Sequence, residues 1–201
     1  TAYLCGKAYI YFWNRTKKLT TTPSGFGILL SLFLMTISRI KVPYWEISTL
    51  DVSIIFMCSL IYWLDDLVGL PPWTRVIIAF SSGILLFITC SDMLFTPFEL
   101  VVLSVGYGIF LIGLTNIINF YDGSDLNLGT IVFLAGTILF FFSDSSAFEY
   151  MGTLMVGFSL GFGWINRIPF SLYLGDSGAF VLALIFTFFL IKLKRGMIMI
   201  N

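Results

Sequence analysis

The sequence predicts an all-α fold, a polytopic bundle of transmembrane helices with about seven spans, each needing some 20 predominantly apolar residues. Three observations carry this expectation. Apolar residues make up 58% of the 201 residues and charged residues only 11%, with a mean hydropathy of +0.98. A soluble domain covers its surface with roughly 25% charged residues, so most of this surface must face lipid. The apolar residues also fall into long runs that are apolar nearly all round, with no strand-period alternation to suggest a barrel. Within hydrocarbon, backbone groups must be satisfied inside their own segment, which selects helix over open strand.

Taken in order, Tyr9, Tyr11, Phe12 and Trp13, followed by Asn14 and Arg15, read as the interfacial end of an earlier span. Residues 1–13 carry no signal-peptide layout, and the chain opens on Thr1 inside an apolar pattern, as a piece of a longer protein would. Spans are then expected at 25–41, 47–64, 74–91, 98–118, 128–143, 147–165 and 177–193. The 128–143 run is short against the lower limit of about 17 residues. No low-complexity linker, repeat or soluble insertion interrupts the pattern, so residues 1–201 are expected to form a single membrane domain.

If each span crosses once, the connections alternate sides. One side receives 14–24, 65–73, 119–127 and 166–176, and the other 42–46, 92–97 and 144–146. Arg15, Lys17, Lys18, Arg75 and Arg167 accompany the first set, whereas only Arg39 and Lys41 flank the second. The positive-inside bias places the first set in the cytoplasm, although Lys192, Lys194 and Arg195 follow a span that should exit outward. Asp65, Asp66, Asp122, Asp125 and Asp176 all fall on or beside the cytoplasmic connections. Acids from three separate stretches therefore meet on one face by the parity of the spans.

Other classes are excluded early. Lys plus Arg and Asp plus Glu balance at 11 each, which leaves no nucleic-acid footprint. Cys5, Cys58 and Cys90 are scattered in apolar runs and give neither a disulfide framework nor a zinc site. The chain has no histidine.

Four segments could carry chemistry. The adjacent carboxylates Asp65 and Asp66 close a span, where uncompensated charge is costly. They suit a phosphate site holding magnesium, which uses one or two carboxylates with phosphate oxygens and retained waters; solvated interfacial acids are the plainer reading. Asn116 and Asn119, at i and i+3, share a helix face ahead of Asp122, Gly123 and Asp125. Gly123 permits a tight turn there, and capping explains one or two of these residues but not all five. Asn166, Arg167 and Pro169 precede Leu174-Gly175-Asp176-Ser177-Gly178, where a span begins and exposed N–H groups favour anions. Capping suits Ser177, and a magnesium ligand is the sharper reading of Asp176. Thr22-Pro23-Ser24-Gly25-Phe26-Gly27, behind Arg15, Lys17 and Lys18, suits phosphate oxygens at a helix start.

In this order, the segments resemble the polyprenyl-phosphate N-acetylhexosamine-1-phosphate transferases, the superfamily of the phospho-MurNAc-pentapeptide translocases and the O-antigen-initiating enzymes. Thr22 to Gly27 is similar to the family's TPxxGG loop, and Leu64 to Leu70 with Arg75 to its DD loop and downstream arginine. Asn116 to Asp125 matches NxxNxxDGxD, and Asn166 with Pro169 followed by Leu174 to Gly178 matches N-x-x-P and LGDxGS. The departures are Phe26 for glycine, Leu126-Asn127 for Gly-Leu, Phe170-Ser171 for Ala-Lys, and the missing histidine-rich motif of a later cytoplasmic loop. A sequence that stops before that loop accounts for the last.

The resemblance implies a magnesium-dependent phosphoglycosyltransferase of the cell (inner) membrane, with manganese as a substitute ion and the active face cytoplasmic. It implies transfer of a sugar-1-phosphate from a UDP-N-acetylhexosamine to polyprenyl (undecaprenyl) phosphate with release of UMP, the first membrane step of a cell-envelope glycan such as the wall or lipopolysaccharide. Homodimers occur in such a family. By the matching motifs, Asp176 is the metal ligand, and Asp65, assisted by Asp66, the base that frees the lipid phosphate. Asn116, Asn119, Asp122, Asp125 and Asn166 bind nucleotide and sugar. Two rivals are a non-catalytic relative, favoured by the missing histidine, and an ion-coupled transporter, which expects acids near mid-span. The DDLVGLPP run leans toward the glycan-initiating members over the wall-precursor translocases.

Overall fold

The computed structural model describes residues 49–91, 95–124, 126–142, 146–166 and 173–198. The expected span at 25–41, the loop at 14–24 with its TP segment, and Asp125, Arg167 and Pro169 lie outside them, as does the Asp66 side chain. Six helices occupy the described residues, with no strand among them: α1 Thr49–Val68, α2 Pro72–Cys90, α3 Pro97–Asp122, α4 Asn127–Phe142, α5 Ser146–Asn166 and α6 Gly175–Ile198.

The helix ends follow from local chemistry. Val68 closes α1 because Gly69 takes a left-handed φ of 73° and its N–H bonds back to the Asp65 carbonyl at 2.7 Å, an αL cap. Pro72 then opens α2, where a missing N–H costs no helix bond. Thr96 and Glu99 form a reciprocal capping box ahead of α3, with Pro97 at its first turn. Gly123 ends α3 in the expected turn, at an ordinary φ of −68° and with its N–H bonded back to the Phe120 carbonyl at 3.3 Å. Leu126 takes a left-handed φ of 63°.

Two helices, α2 and α3, are long and apolar enough to cross a membrane. At 1.5 Å per residue their 19 and 26 residues reach about 28 and 39 Å, against a hydrocarbon core of about 30 Å. Shorter apolar stretches run over Ser53–Asp65, Asn127–Phe142 and Gly175–Ile191. Large apolar side chains such as Val101, Ile109, Ile117 and Phe141 stand exposed along α3 and α4, the surface a lipid-facing helix presents.

The core sits around α6. Its residues Ala179, Phe180, Val181, Ala183 and Leu184 are completely buried, and the helix packs against α1, α2 and α3, with a lighter contact to α5. Phe180 stacks on Tyr62 of α1 with ring centroids 3.8 Å apart. Helices α2 and α3 pack closely where Gly83 faces Gly108, and α4 and α5 where Gly136 faces Gly152. A Cβ on Gly152 would stand 2.5 Å from the Gly136 carbonyl oxygen. Small residues let backbones approach where no hydrophobic drive joins the helices.

Both α1 and α3 outrun the spans read from sequence, to Val68 and Asp122. The polar residues that seemed to end each span are absorbed as helix because the fold supplies their partners. The consequence is geometric. The C-terminal ends of α1, α3 and α5 carry Asp65, Asp122 and Asn166, and the N-terminal ends of α2 and α6 carry Arg75 and Asp176.

Candidate active site

Asp65 stands in the last turn of α1 and is 2% exposed. Its Oδ1 accepts the Leu70 N–H at 2.5 Å, which ties the chain just beyond the Gly69 cap to the carboxylate. Arg75, in the first turn of α2, engages the same group twice. Its Nε lies 2.5 Å from Asp65 Oδ2, and its Nη2 donates to Oδ1 at 3.3 Å. A buried carboxylate is tolerated when it is both paired and hydrogen-bonded, and Asp65 is both. The Tyr62 hydroxyl donates to the Arg75 carbonyl at 2.8 Å and pins the backbone from which the guanidinium projects.

The third arm of Arg75 reaches another helix. Its Nη1 lies 2.6 Å from Asp176 Oδ2 in the first turn of α6, and Asp176 Oδ1 accepts Asn119 Nδ2 of α3 at 2.5 Å. Four helices thus meet through one guanidinium and two carboxylates. Arg75 is the one basic side chain among those described.

Asp122 positions this end of α6. It is 4% exposed, and its Oδ2 accepts the Gly175 N–H at 3.0 Å, next to Asp176. Gly175 has a φ of 70°, a conformation that suits glycine. Asp122 Oδ1 is buried with no hydrogen-bond partner among the described residues. Asn166 is 1% exposed and its Oδ1 accepts the Leu126 N–H at 2.5 Å. That bond steadies a left-handed leucine, a conformation costing roughly 1 kcal/mol.

A cavity of about 190 Å³ opens beside the bridge. Arg75, Asn116, Asn119 and Asp176 are among its polar lining residues, and Val76, Ala79 and Ile112 among its apolar ones. Asn116 and Asn119 share the face that their spacing predicted, with Asn116 Nδ2 bonded to the Ile112 carbonyl at 3.0 Å. Asp65, Asp122 and Asn166 do not line the cavity: Asp65 holds Arg75, Asp122 holds the start of α6 through Gly175, and Asn166 holds the Leu126 N–H outside it. Sequence reasoning noted Arg75 only as a downstream basic residue and did not single out Tyr62. The available signal was a lone arginine at the mouth of an apolar span, ten residues after an acid, where only a partner makes the charge tolerable.

The donor set suits a hard divalent cation. Magnesium takes oxygen ligands and commonly uses one or two carboxylates, the remainder coming from water and phosphate oxygens. Asp176, its side chain 25% exposed, offers a carboxylate to the cavity. No group of three or more Asp, Glu, His or Cys gathers among the described residues, so most ligands would have to come from substrate and water.

Three curated relatives are phospho-N-acetylmuramoyl-pentapeptide-transferases: that of Chlamydia pneumoniae, 28% identical over 83% of this chain and 58% of the relative; that of Acinetobacter baylyi, 27% identical over 84% and 60%; and that of a Hydrogenobaculum species, 24% identical over 81% and 55%. The chain therefore spans somewhat over half the length of these relatives. The model of glycosyl transferase family 4 matches residues 48–194, a stretch that takes in the Asp65 turn, both asparagines of α3 and the start of α6. With most of its length matched, the chain belongs to glycosyl transferase family 4.

Proposed function

We propose that the protein transfers a sugar-1-phosphate of the N-acetylhexosamine type from a UDP-sugar to polyprenyl phosphate and releases UMP, on the cytoplasmic face of a multi-pass membrane domain. The observation that carries the reading is the Asp65–Arg75–Asp176 bridge, joined by Asn119 and set beside a cavity lined by both polar and apolar residues. Such a reaction brings two anions together. Its demands are charge neutralisation and in-line positioning, with little covalent chemistry left to the protein.

The residues divide the work accordingly. Asp176 and the amides of Asn116 and Asn119 face the space where a diphosphate and a hydroxylated sugar can be held. Magnesium, when bound at Asp176, neutralises developing charge on the departing phosphate. Asp122 fixes the start of α6 through Gly175 and so sets where Asp176 stands. Asp65, assigned as the base, must part from Arg75 to act so; as it stands it orients the guanidinium. The relatives carry the wall-precursor name, so the lean toward glycan-initiating members rests on sequence alone.

The test is a membrane assay of the full-length protein with radiolabelled UDP-N-acetylhexosamine. UMP release that requires both added polyprenyl phosphate and a divalent cation, and that EDTA stops, is the expected result. Turnover unaffected by omitting the lipid would sink the reading. A protein that binds both substrates yet releases no UMP would be the non-catalytic relative.

A further inference from the structure

Arg75 makes unequal contacts at its two ends. Toward Asp65, a carboxylate 2% exposed, the guanidinium makes an ion-pair contact through Nε and one hydrogen bond through Nη2, and Leu70 N–H is a further donor. Toward Asp176 it makes one contact, at 2.6 Å, to a side chain 25% exposed on the cavity wall. A charge-paired, desolvated carboxylate parts from its cation at high cost, whereas a single, partly solvated contact exchanges readily. The weaker contact is also the one made to the carboxylate best placed for a cation.

We infer that Arg75 is the resident counter-cation of Asp176, competing with a divalent ion for its carboxylate, and that ion binding transfers the Nη1 end of the guanidinium into the cavity while Asp65 keeps the Nε end. The inference rests on the proposed cation site and adds the residue that regulates it. In the structure one guanidinium neutralises two carboxylates from separate helices and so joins α1, α2 and α6. With a dication at Asp176 that charge is surplus there, and the released N–H donors face the space where a diphosphate would lie. A planar guanidinium matches phosphate oxygens in geometry as well as in charge. Loading of the ion then prepares the anion site in the same movement, so cation and diphosphate binding reinforce one another.

The experiment is a Mn2+ titration of the full-length protein in detergent, read by the electron paramagnetic resonance of free Mn2+, with no substrate present. Removing the competing charge in Arg75→Gln should tighten Mn2+ binding about tenfold, or about 1.4 kcal/mol. Arg75→Lys keeps a charge for buried Asp65, but one nitrogen replaces the separate Nε and Nη1 that meet the two carboxylates, so its hold on Asp176 is weaker. It too should bind Mn2+ more tightly than the unaltered protein, and it decides the matter if Arg75→Gln does not fold. Adding UDP should tighten Mn2+ binding in the unaltered protein more than in either variant. Equal or weaker Mn2+ binding in both variants overturns the inference and leaves the cation site standing. No Mn2+ binding by the unaltered protein, with or without UDP, overturns the cation site and the inference with it.

Discussion

Glu99 and Asp176 stand in the first turns of α3 and α6, where exposed N–H groups favour negative charge. Glu99 uses its carboxylate within three residues of itself. Its Oε2 accepts Thr96 N–H at 2.9 Å and Thr96 Oγ1 at 2.8 Å, and Thr96 Oγ1 in turn accepts the Glu99 N–H at 3.3 Å. Asp176 instead takes donors from α2 and α3, one of them 57 residues away in sequence. Both acids sit at helix starts, yet one closes a local cap and the other joins distant segments beside a cavity. A first-turn acid reveals its task by where its partners come from, and position alone does not separate a cap from a site.

Substitutions can sharpen or break that contrast. The largest effect belongs to Asp176→Asn, which keeps size and loses charge: sugar-phosphate transfer by the full-length protein should fall about 10³-fold, roughly 4 kcal/mol of barrier. Activity within tenfold of the unaltered protein would put Asp176 in the same class as Glu99. Asn119→Ala removes the amide that aims Asp176, and a misaimed carboxylate should slow transfer about 30-fold in the same assay. Next comes Asn166→Ala, which leaves the Leu126 N–H without its acceptor and should lower unfolding free energy by about 2 kcal/mol, measured by denaturant titration in micelles. Thr96→Ala should cost about 1 kcal/mol by the same titration while the transfer rate stays unchanged. A change in rate there would show that the far cap communicates with the site.

Much of the helical layout was legible because apolar runs demand it. The run at 74–91 became α2 at Pro72–Cys90, and the run at 128–143 became α4 at Asn127–Phe142, short as expected. The ends were harder to read. Asp65 and Asn119 look like residues that leave a span, since their polarity is visible in sequence and their partners are not. Arg75 and Asp176 supply those partners from other helices, and the helices continue. The meeting of Asp65 with Asp176 was legible from the parity of spans; the guanidinium between them was not, because a basic residue beside a span also serves as an ordinary topology signal. Leu126 shows the same blind spot. Glycine is the expected left-handed residue, and only the Asn166 side chain, 40 residues on, makes leucine acceptable there.

Asp65 does two jobs with one side chain and its own carbonyl. The carbonyl receives Gly69 and the carboxylate receives Leu70, so the turn that reverses the chain from α1 into α2 is folded around this residue. Replacing it therefore perturbs a hairpin as well as a charge. An inactive variant at this position reports on chemistry only when its α1–α2 corner is shown to be intact, and a silent loss of protein from the membrane would be the first thing to rule out.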